Sequence, residues 1–437
     1  MVIDNRPAKT VARPTAEQTT RERPAIHGPM RDRGRVLIIV QNLSVPFDRR
    51  VWLECLSLTD AGFRVAVVCP KAPGDPSYAR LNGVELYKYR PYAPGGSRTS
   101  FVVEYLYSFF ATLALSLKAS LQGRFAVVQS CNPPDIFWPI GILFRLLHGS
   151  SFVFDHHDLC PELYQSRFPD GNQLVYWALR LMERCTVRTA NHVISTNDSY
   201  RQTVLGRDGV DPSDVTVVRT GPDSARLHRT TADPSLRRDK PHLVAYIGVM
   251  GPQDGVDLVL ELADVVVRQL GRRDIGFTLI GSGDCFEDLV ALRDRLDLSD
   301  FVTFTGRISD AEVSRVLSTA DVGISPDPKN PLNDLSTMNK TMEYMAFGLP
   351  VVAFDLRETR VSAGDAGVYA TPNDVGELAR LLVDLVDDEP VRRAMGTAGR
   401  ERIEQELGWD HQAPRYVGVY EQLTSAPRRR VPVTAGA

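Results

Sequence analysis

The sequence predicts an α/β protein of two doubly wound, Rossmann-like domains facing across a cleft, and three observations carry that reading. Ten short runs rich in β-branched residues alternate with helical stretches, which is the pattern of parallel sheets covered by helices on both faces. The chain has 437 residues, too many for one core of ordinary size and suited to two. A stretch of turn formers and charges, TGPDSARLHRTTADPSLRRDKP, separates the runs into two sets of five. The domains are placed at 34–222 and 241–408, joined by a link at 223–240, with a last helix at 409–424 and disordered tails at 1–33 and 425–437.

The first set is RVLIIV (35–40), RVAVVC (64–69), FAVVQS (125–130), SFVFD (151–155) and HVIST (192–196). After the first strand, PFDRRVW puts Asp48 at a helix N-cap, with Arg49 and Arg50 in the first turn. Cations there oppose the helix dipole, so the pair is read as facing an anion in the cleft. Residues 101–117, FVVEYLYSFFATLALSL, are apolar, but Glu104 interrupts them and about 20 residues are needed to span a bilayer. They are read as a helix packed on the sheet, in preference to a helix lying in the plane of a membrane. The fourth strand runs into FDHHDLCPEL, which brings His156, His157, Asp158 and Glu162 to a strand end.

The second set is LVAYIG (243–248), FTLIG (277–281), FVTFTG (301–306), DVGIS (321–325) and VVAFD (351–355). Between the last two lies STMNKTMEYMAFGLP, read as a helix capped by Ser336 and stopped at Gly348. At about 100° per residue, Met338, Met342 and Met345 form a core stripe, and Asn339, Lys340 and Glu343 fall together on the opposite side. A lysine in a first turn meets unpaired N–H groups, so Lys340 also calls for an anion. Three such cations at two helix starts, one start per domain, would converge on a diphosphate in the cleft.

Composition and missing motifs narrow the function. A net charge of −3 with acids and bases well mixed argues against nucleic acid as a partner. The six cysteines lack metal-ligand spacing and read as buried free thiols. The polar N-terminal stretch has no apolar segment of the secretory kind. The first strand leads into QNLSVPFDRR, with no glycine for a dinucleotide pyrophosphate, and GSGDCF at 281–286 lacks the third glycine. No P-loop, GxSxG elbow or HExxH occurs. There is no DxD, so no divalent metal is expected to bridge a diphosphate.

FDRRVW, DAGFRVAVVCP, DHHDLCPEL, YIGVMGPQDGVD, FTGRIS and NDLSTMNKTMEYMAFGLPVVAFDLRETRVSAG together resemble the family 4 glycosyltransferases of retaining, GT-B type, over about residues 34–423. The resemblance is to the bacterial exopolysaccharide and O-antigen branch, similar to the N-acetylfucosamine-transferring group. It implies a donor site in the C-terminal domain, an acceptor side in the N-terminal one, and a final helix that returns to the N-terminal domain. Glu343 would hold the donor ribose, N–H groups around Ser336, Thr337, Met338 and Asn339 the phosphates, and Gly306 and Arg307 the edge of the base. Lys340 and Arg50 would neutralise the leaving group and His157 would face the donor sugar, with Gly248, Gly251, Asp158 and Arg49 completing the donor site.

The chain departs from the family pattern at Leu335, where a first glutamate is usual, and at Val249 and Asp254, where an arginine and a lysine are usual. The expected partners are a nucleotide-sugar, UDP-linked, and a glycan or lipid-linked acceptor. The expected location is cytoplasmic, with peripheral contact at the inner face of the membrane, and no cofactor or metal is expected. A sugar-nucleotide 2-epimerase of the same architecture, or a non-catalytic nucleotide-sugar binder, are the alternatives.

Overall fold

The computed structural model describes residues 33–92, 98–223 and 226–425. The tails read as disordered lie outside these residues, apart from Arg33 and Ser425. The N-terminal domain runs β1 (Arg35–Ile39), α1 (Arg49–Asp60), β2 (Arg64–Pro70), β3 (Tyr78–Leu81), β4 (Val84–Tyr89), α2 (Arg98–Ser120) and β5 (Val127–Cys131). It continues with α3 (Trp138–His148), β6 (Ser151–His156), α4 (Cys160–Arg167), α5 (Gln173–Thr189), β7 (His192–Ser195), α6 (Asp198–Asp208) and β8 (Val215–Val217). The C-terminal domain runs β9 (His242–Ile247), α7 (Val256–Asp264), β10 (Ile275–Ile280), α8 (Phe286–Arg295), β11 (Val302–Gly306), α9 (Asp310–Thr319) and β12 (Val322–Ser325). It ends with α10 (Asn339–Ala346), β13 (Val351–Phe354), α11 (Arg357–Ala363), β14 (Gly367–Ala370), α12 (Val375–Asp387) and α13 (Glu389–Arg402), followed by α14 (Trp409–Ser425).

The strand orders are β3-β4-β2-β1-β5-β6-β7-β8 and β11-β10-β9-β12-β13-β14. Each order reverses beside its first strand, at β1/β5 and at β9/β12, and such switch points open crevices at the carboxyl ends of strands. Pairing is parallel except at one edge, where β3 runs antiparallel to β4. That hairpin turns at Asn82 and Gly83, with φ of 47° and 83°, and corrects the all-parallel reading.

Strand β1 is buried throughout, and its alternating side chains serve two layers. Val36 and Ile38 pack with Trp409, Tyr416 and Tyr420 of α14 and with α1. Leu37 and Ile39 face the other way, into a core with Phe137 and Phe144 under α2 and α3. Helix α14 is pinned to the N-terminal domain by Trp409 Nε1–H to Ser57 Oγ (3.0 Å) and Tyr416 O–H to Gln129 Oε1 (2.7 Å). No helix of the described residues is long and apolar enough to cross a membrane. All six cysteines are free; four are buried, while Cys185 and Cys285 are half-buried, so full burial does not extend to those two.

Candidate functional site

On the C-terminal side, the turns after β9, β10 and β11 are tied together. Gly248 N–H donates to Ile280 O (3.0 Å), and Gly281 N–H to Gly306 O (3.0 Å). Gly281 has φ 135°, and a Cβ on it would sit 1.8 Å from the Gly248 carbonyl oxygen, so only glycine lets these turns meet. Gly251 N–H donates to Asp254 Oδ2 at 3.0 Å, and Gly306 lies in open space. Arg307 crosses the cleft, its guanidinium 5.0 Å from the centre of the Phe47 ring.

Helix α10 begins at Asn339, with Met338 at the N-cap and no side-chain cap. This corrects Ser336 as the cap: its hydroxyl instead bonds Leu332 O and the Tyr200 hydroxyl, both at 2.8 Å. The polar trio also divides. Asn339 is exposed and Glu343 half-buried, but Lys340 is only 8% exposed and its Nζ lies 2.5 Å from Asp327 Oδ1, over the Tyr246 ring. The lysine's partner in the structure is therefore a carboxylate just past β12, at the switch point, and Lys340 and Glu343 do not pair with each other. A Cβ on Gly248 would come within 3.2 Å of Lys340 Cε, so the glycine makes room for this side chain. Burial pushes the nearby Asp254 carboxyl up to about 6, against the pull of Lys340.

On the N-terminal side, Asp48 caps α1 by accepting from Val51 N–H (3.1 Å). Arg50 is 6% exposed and committed inward: Nη2 to Asp155 Oδ1 (2.9 Å), Nε to Glu54 Oε1 (3.0 Å) and to His157 Nε2 (3.1 Å), and Nη1 to Val218 O (3.0 Å). This corrects its reading as a cation facing an anion in the cleft. Its α1 neighbours Val51, Leu53 and Leu58 are core residues, and Glu54 lies one turn on along the same buried side.

Burial alone would raise the Asp155 carboxyl, but Arg50 and His157 outweigh it and hold the group well below the carboxylate range. His157 Nε2 lies 2.5 Å from Asp155 Oδ2, so Asp155 and Arg50 both hold the imidazole by the same ring nitrogen, at the end of β6. Asn132 Oδ1 takes the backbone N–H groups of His157 (2.6 Å) and Asp158 (3.2 Å). Burial raises the Asp158 carboxyl against the pull of His157 and Arg167. His156 turns away from the cleft into the core, where burial lowers its imidazole to about 3.

The two faces meet directly. Arg49, half exposed, reaches Asp310 Oδ1 (3.1 Å) and Glu343 Oε1 (3.4 Å) across the cleft. Arg226 of the link meets the same two carboxylates at 2.6 and 3.8 Å. Deeper in, Asn197 Nδ2 donates to Leu335 O (2.9 Å) and Thr337 Oγ1 (3.0 Å), and Ser199 Oγ donates to Glu358 Oε1 (2.6 Å), which Arg219 also pairs. The segment leading into α10 is thus held by the end of β7 and the start of α6.

Two family models fit the chain: "Glycosyl transferase 4-like domain" over residues 48–221 and "Glycosyl transferases group 1" over residues 241–388. The chain belongs to the GT4-like glycosyltransferases. Among curated relatives, this glycosyltransferase is 28% identical to the 2-deoxystreptamine glucosyltransferase of Streptomyces kanamyceticus over 331 residues, 73% of the chain and 76% of the relative. Its GT-B fold is shared with the sucrose-phosphate synthase of Thermosynechococcus elongatus, at TM-score 0.73 and 17% identity over 90% of this chain and all of that one. It is shared also with Anabaena HepE, solved with UDP and glucose, at TM-score 0.66 and 15% identity over the same shares.

Of the residues picked from the sequence, Arg49, Glu343 and Arg307 meet the opposite domain directly, whereas Arg50 and Lys340 are buried against carboxylates of their own domains. Those not picked are the partners Asp155, Asp310, Arg226, Asn197, Ser199, Asp327 and Glu358. Asn197 had a legible signal, since ISTND places it as the N-cap of α6, where its Oδ1 accepts Tyr200 N–H (2.7 Å).

Proposed function

We propose that this glycosyltransferase moves a sugar, with retention of anomeric configuration, from a UDP-linked donor to a glycan or lipid-linked glycan. We place it in cell-surface polysaccharide synthesis at the inner face of the membrane, working without a divalent metal. The observation that carries the donor site is the state of Glu343, a half-buried cleft carboxylate held only loosely, by exposed Arg49 of the opposite domain at 3.4 Å and by Arg226 of the link at 3.8 Å. Such a bridge is weak, and a ribose diol offering two O–H donors can take its place. Arg49, which keeps only Asp310 at 3.1 Å, can then turn to the phosphates.

The N-terminal N–H groups of α10 favour the same anions, and the Lys340 ammonium can share growing charge on the leaving phosphate. UDP is supported by the HepE complex of the same fold. Asp155 is clamped by Arg50 and His157, which leaves it no freedom to act as a nucleophile and favours attack on the same face as the departing diphosphate. The one His/Cys/Asp/Glu group among the described residues with metal-like spacing is Cys131, Asp155 and His157. The permanent cation of Arg50 already lies against two of its three members, which supports metal-free transfer.

Glu343→Gln tests the donor site. Calorimetry should show UDP and UDP-sugar both weakened by about 10- to 100-fold, as one or two charge-assisted bonds are lost, with uracil unaffected. Equal UDP affinity in the variant overturns the assignment. Transfer should persist in EDTA; loss restored by magnesium or manganese would refute metal-free action.

A further inference from the structure

Helix α2 is not patterned as an ordinary surface helix. Its most deeply buried polar residues are Glu104, Ser108, Thr112 and Ser116, one turn apart and 0–2% exposed, flanked by Phe109, Leu113, Leu115 and Ala119, which pack on the core. The outward stripe is apolar: Val103, Leu106, Tyr107, Phe110 and Leu117 are 38–61% exposed, and Leu121 just past the helix is 86% exposed. A helix that lies against water keeps its outer face polar; here a second apolar stripe faces outward, beside the one packed on the core.

Helix α5 repeats the arrangement, with Glu183 and Thr186 buried and Leu174, Trp177 and Leu181 55–76% exposed. Helix α3 joins the two. Phe137 at its start stacks on Phe109 of α2, and Arg145 near its end donates to Thr189 O of α5. Leu146 and Leu147 at its end are 79% and 54% exposed. The three helices therefore present one broad apolar surface of a kind that marks an interaction site.

The charge on that surface has one sign. The carboxylates of α2, α3 and α5 are Glu104 and Glu183, each 1% exposed, whereas Lys118, Arg184 and Arg188 are all exposed. Apolar side chains set among cations, with no exposed carboxylate on these helices, match the boundary of an anionic bilayer, where rings and aliphatic groups enter below phosphates held by the cations. We propose that the outer face of α2, α3 and α5 docks on an anionic lipid bilayer.

This deepens the reading of a membrane-side acceptor, on which it rests, by fixing which face meets the lipid. Helix α5 follows α4, whose Arg167 contacts Gln253 and Asp284 of the other domain. The docking face thus borders the cleft, and a lipid-anchored acceptor could enter along the membrane plane.

The test is cosedimentation of the full chain with vesicles of phosphatidylcholine alone or mixed with phosphatidylglycerol, with tryptophan emission recorded. The mixed vesicles should bind the chain, release it at high salt and shift the emission to the blue. Lys118→Ser, Arg184→Ser and Arg188→Ser should each weaken binding about 5-fold, and Phe110→Ser with Trp177→Ser by ~10-fold or more. UDP affinity and slow UDP-sugar hydrolysis should be unchanged in these variants.

Failure to bind either vesicle, or binding indifferent to the Phe110 and Trp177 changes, would overturn the proposal. So would a dimer in solution that the same changes dissociate, since a second copy would then cover the face. Vesicle binding without any action on UDP-sugars would count against the enzymatic reading and leave the surface intact.

Discussion

Replacing Lys340 with methionine should separate what the ammonium does for the fold from what it does for the reaction. Lys340 Nζ and Asp327 Oδ1 are 2.5 Å apart, and the side chains are 8% and 2% exposed. After the change Asp327 keeps the Ser325 hydroxyl at 2.6 Å but no cation, and Asp254 loses a counter-charge. Stranding one charge of a buried pair costs about 3–5 kcal/mol. At roughly 2–4 °C per kcal/mol for a domain of this size, melting should fall by about 6–20 °C.

The double change Lys340→Met with Asp327→Asn leaves no stranded charge and should recover most of that loss. If the ammonium also stabilises the departing phosphate, kcat for UDP-sugar turnover should stay down by roughly 100- to 1000-fold in the refolded double variant. Melting curves and steady-state kinetics on the same preparations decide the matter. A stable double variant with wild-type kcat would show that Lys340 serves the fold alone, and a single variant that loses under ~1 kcal/mol would refute the burial argument.

Two further outcomes follow from buried groups. Arg50→Ala strands Asp155 and Glu54, so urea unfolding should report a loss of about 3–5 kcal/mol; Arg50→Lys should not restore it, because a point charge cannot reproduce the guanidinium fork, and full stability in either variant would contradict the geometry. Burial pushes the Asp135 carboxyl, both of whose oxygens lack a hydrogen-bond partner, up to about 7, whereas an unfolded aspartate titrates near about 4. The folded chain then binds more protons than the unfolded one between those values, so stability present at low pH is lost as pH rises towards 7, by up to ~4 kcal/mol from this group. Asp135→Asn should therefore gain on the wild type in melting temperature from pH ~5 to ~8; a gap independent of pH would refute the assignment.

The strand runs, the buried Met342 and Met345 of α10 and its stop at Gly348 were legible because periodicity and glycine chemistry are local, whereas Met338 falls outside the helix and packs in another core. The hairpin of β3 and β4 was legible too, in Asn82-Gly83 between alternating residues, but the sequence reading passed over it. Strands of three and four residues, β8 and β14, offer too few positions for a pattern. Arg49 and Arg50 look alike in sequence, yet they are one helical step apart and so point to different worlds, one half exposed and one 6% exposed. Glu54, four residues after Arg50, was the available clue to which one turned inward. Partners across the cleft, such as Arg49 and Glu343 at 294 residues apart, have no local signature.

The return of α14 to the first domain has a consequence for the order in which the molecule can be completed. Trp409, Tyr416, Val419 and Tyr420 share a core with Val36, Ile38, Val65 and Val67, so one side of the N-terminal sheet is sealed by residues made long after its strands. After β8 has emerged, about 190 further residues must be made, roughly 10–40 s at ordinary translation speeds. The whole C-terminal domain emerges within that interval and can close its own core first. The N-terminal domain is therefore completed after the C-terminal one, and until then its sheet offers an apolar face that a holding chaperone would recognise.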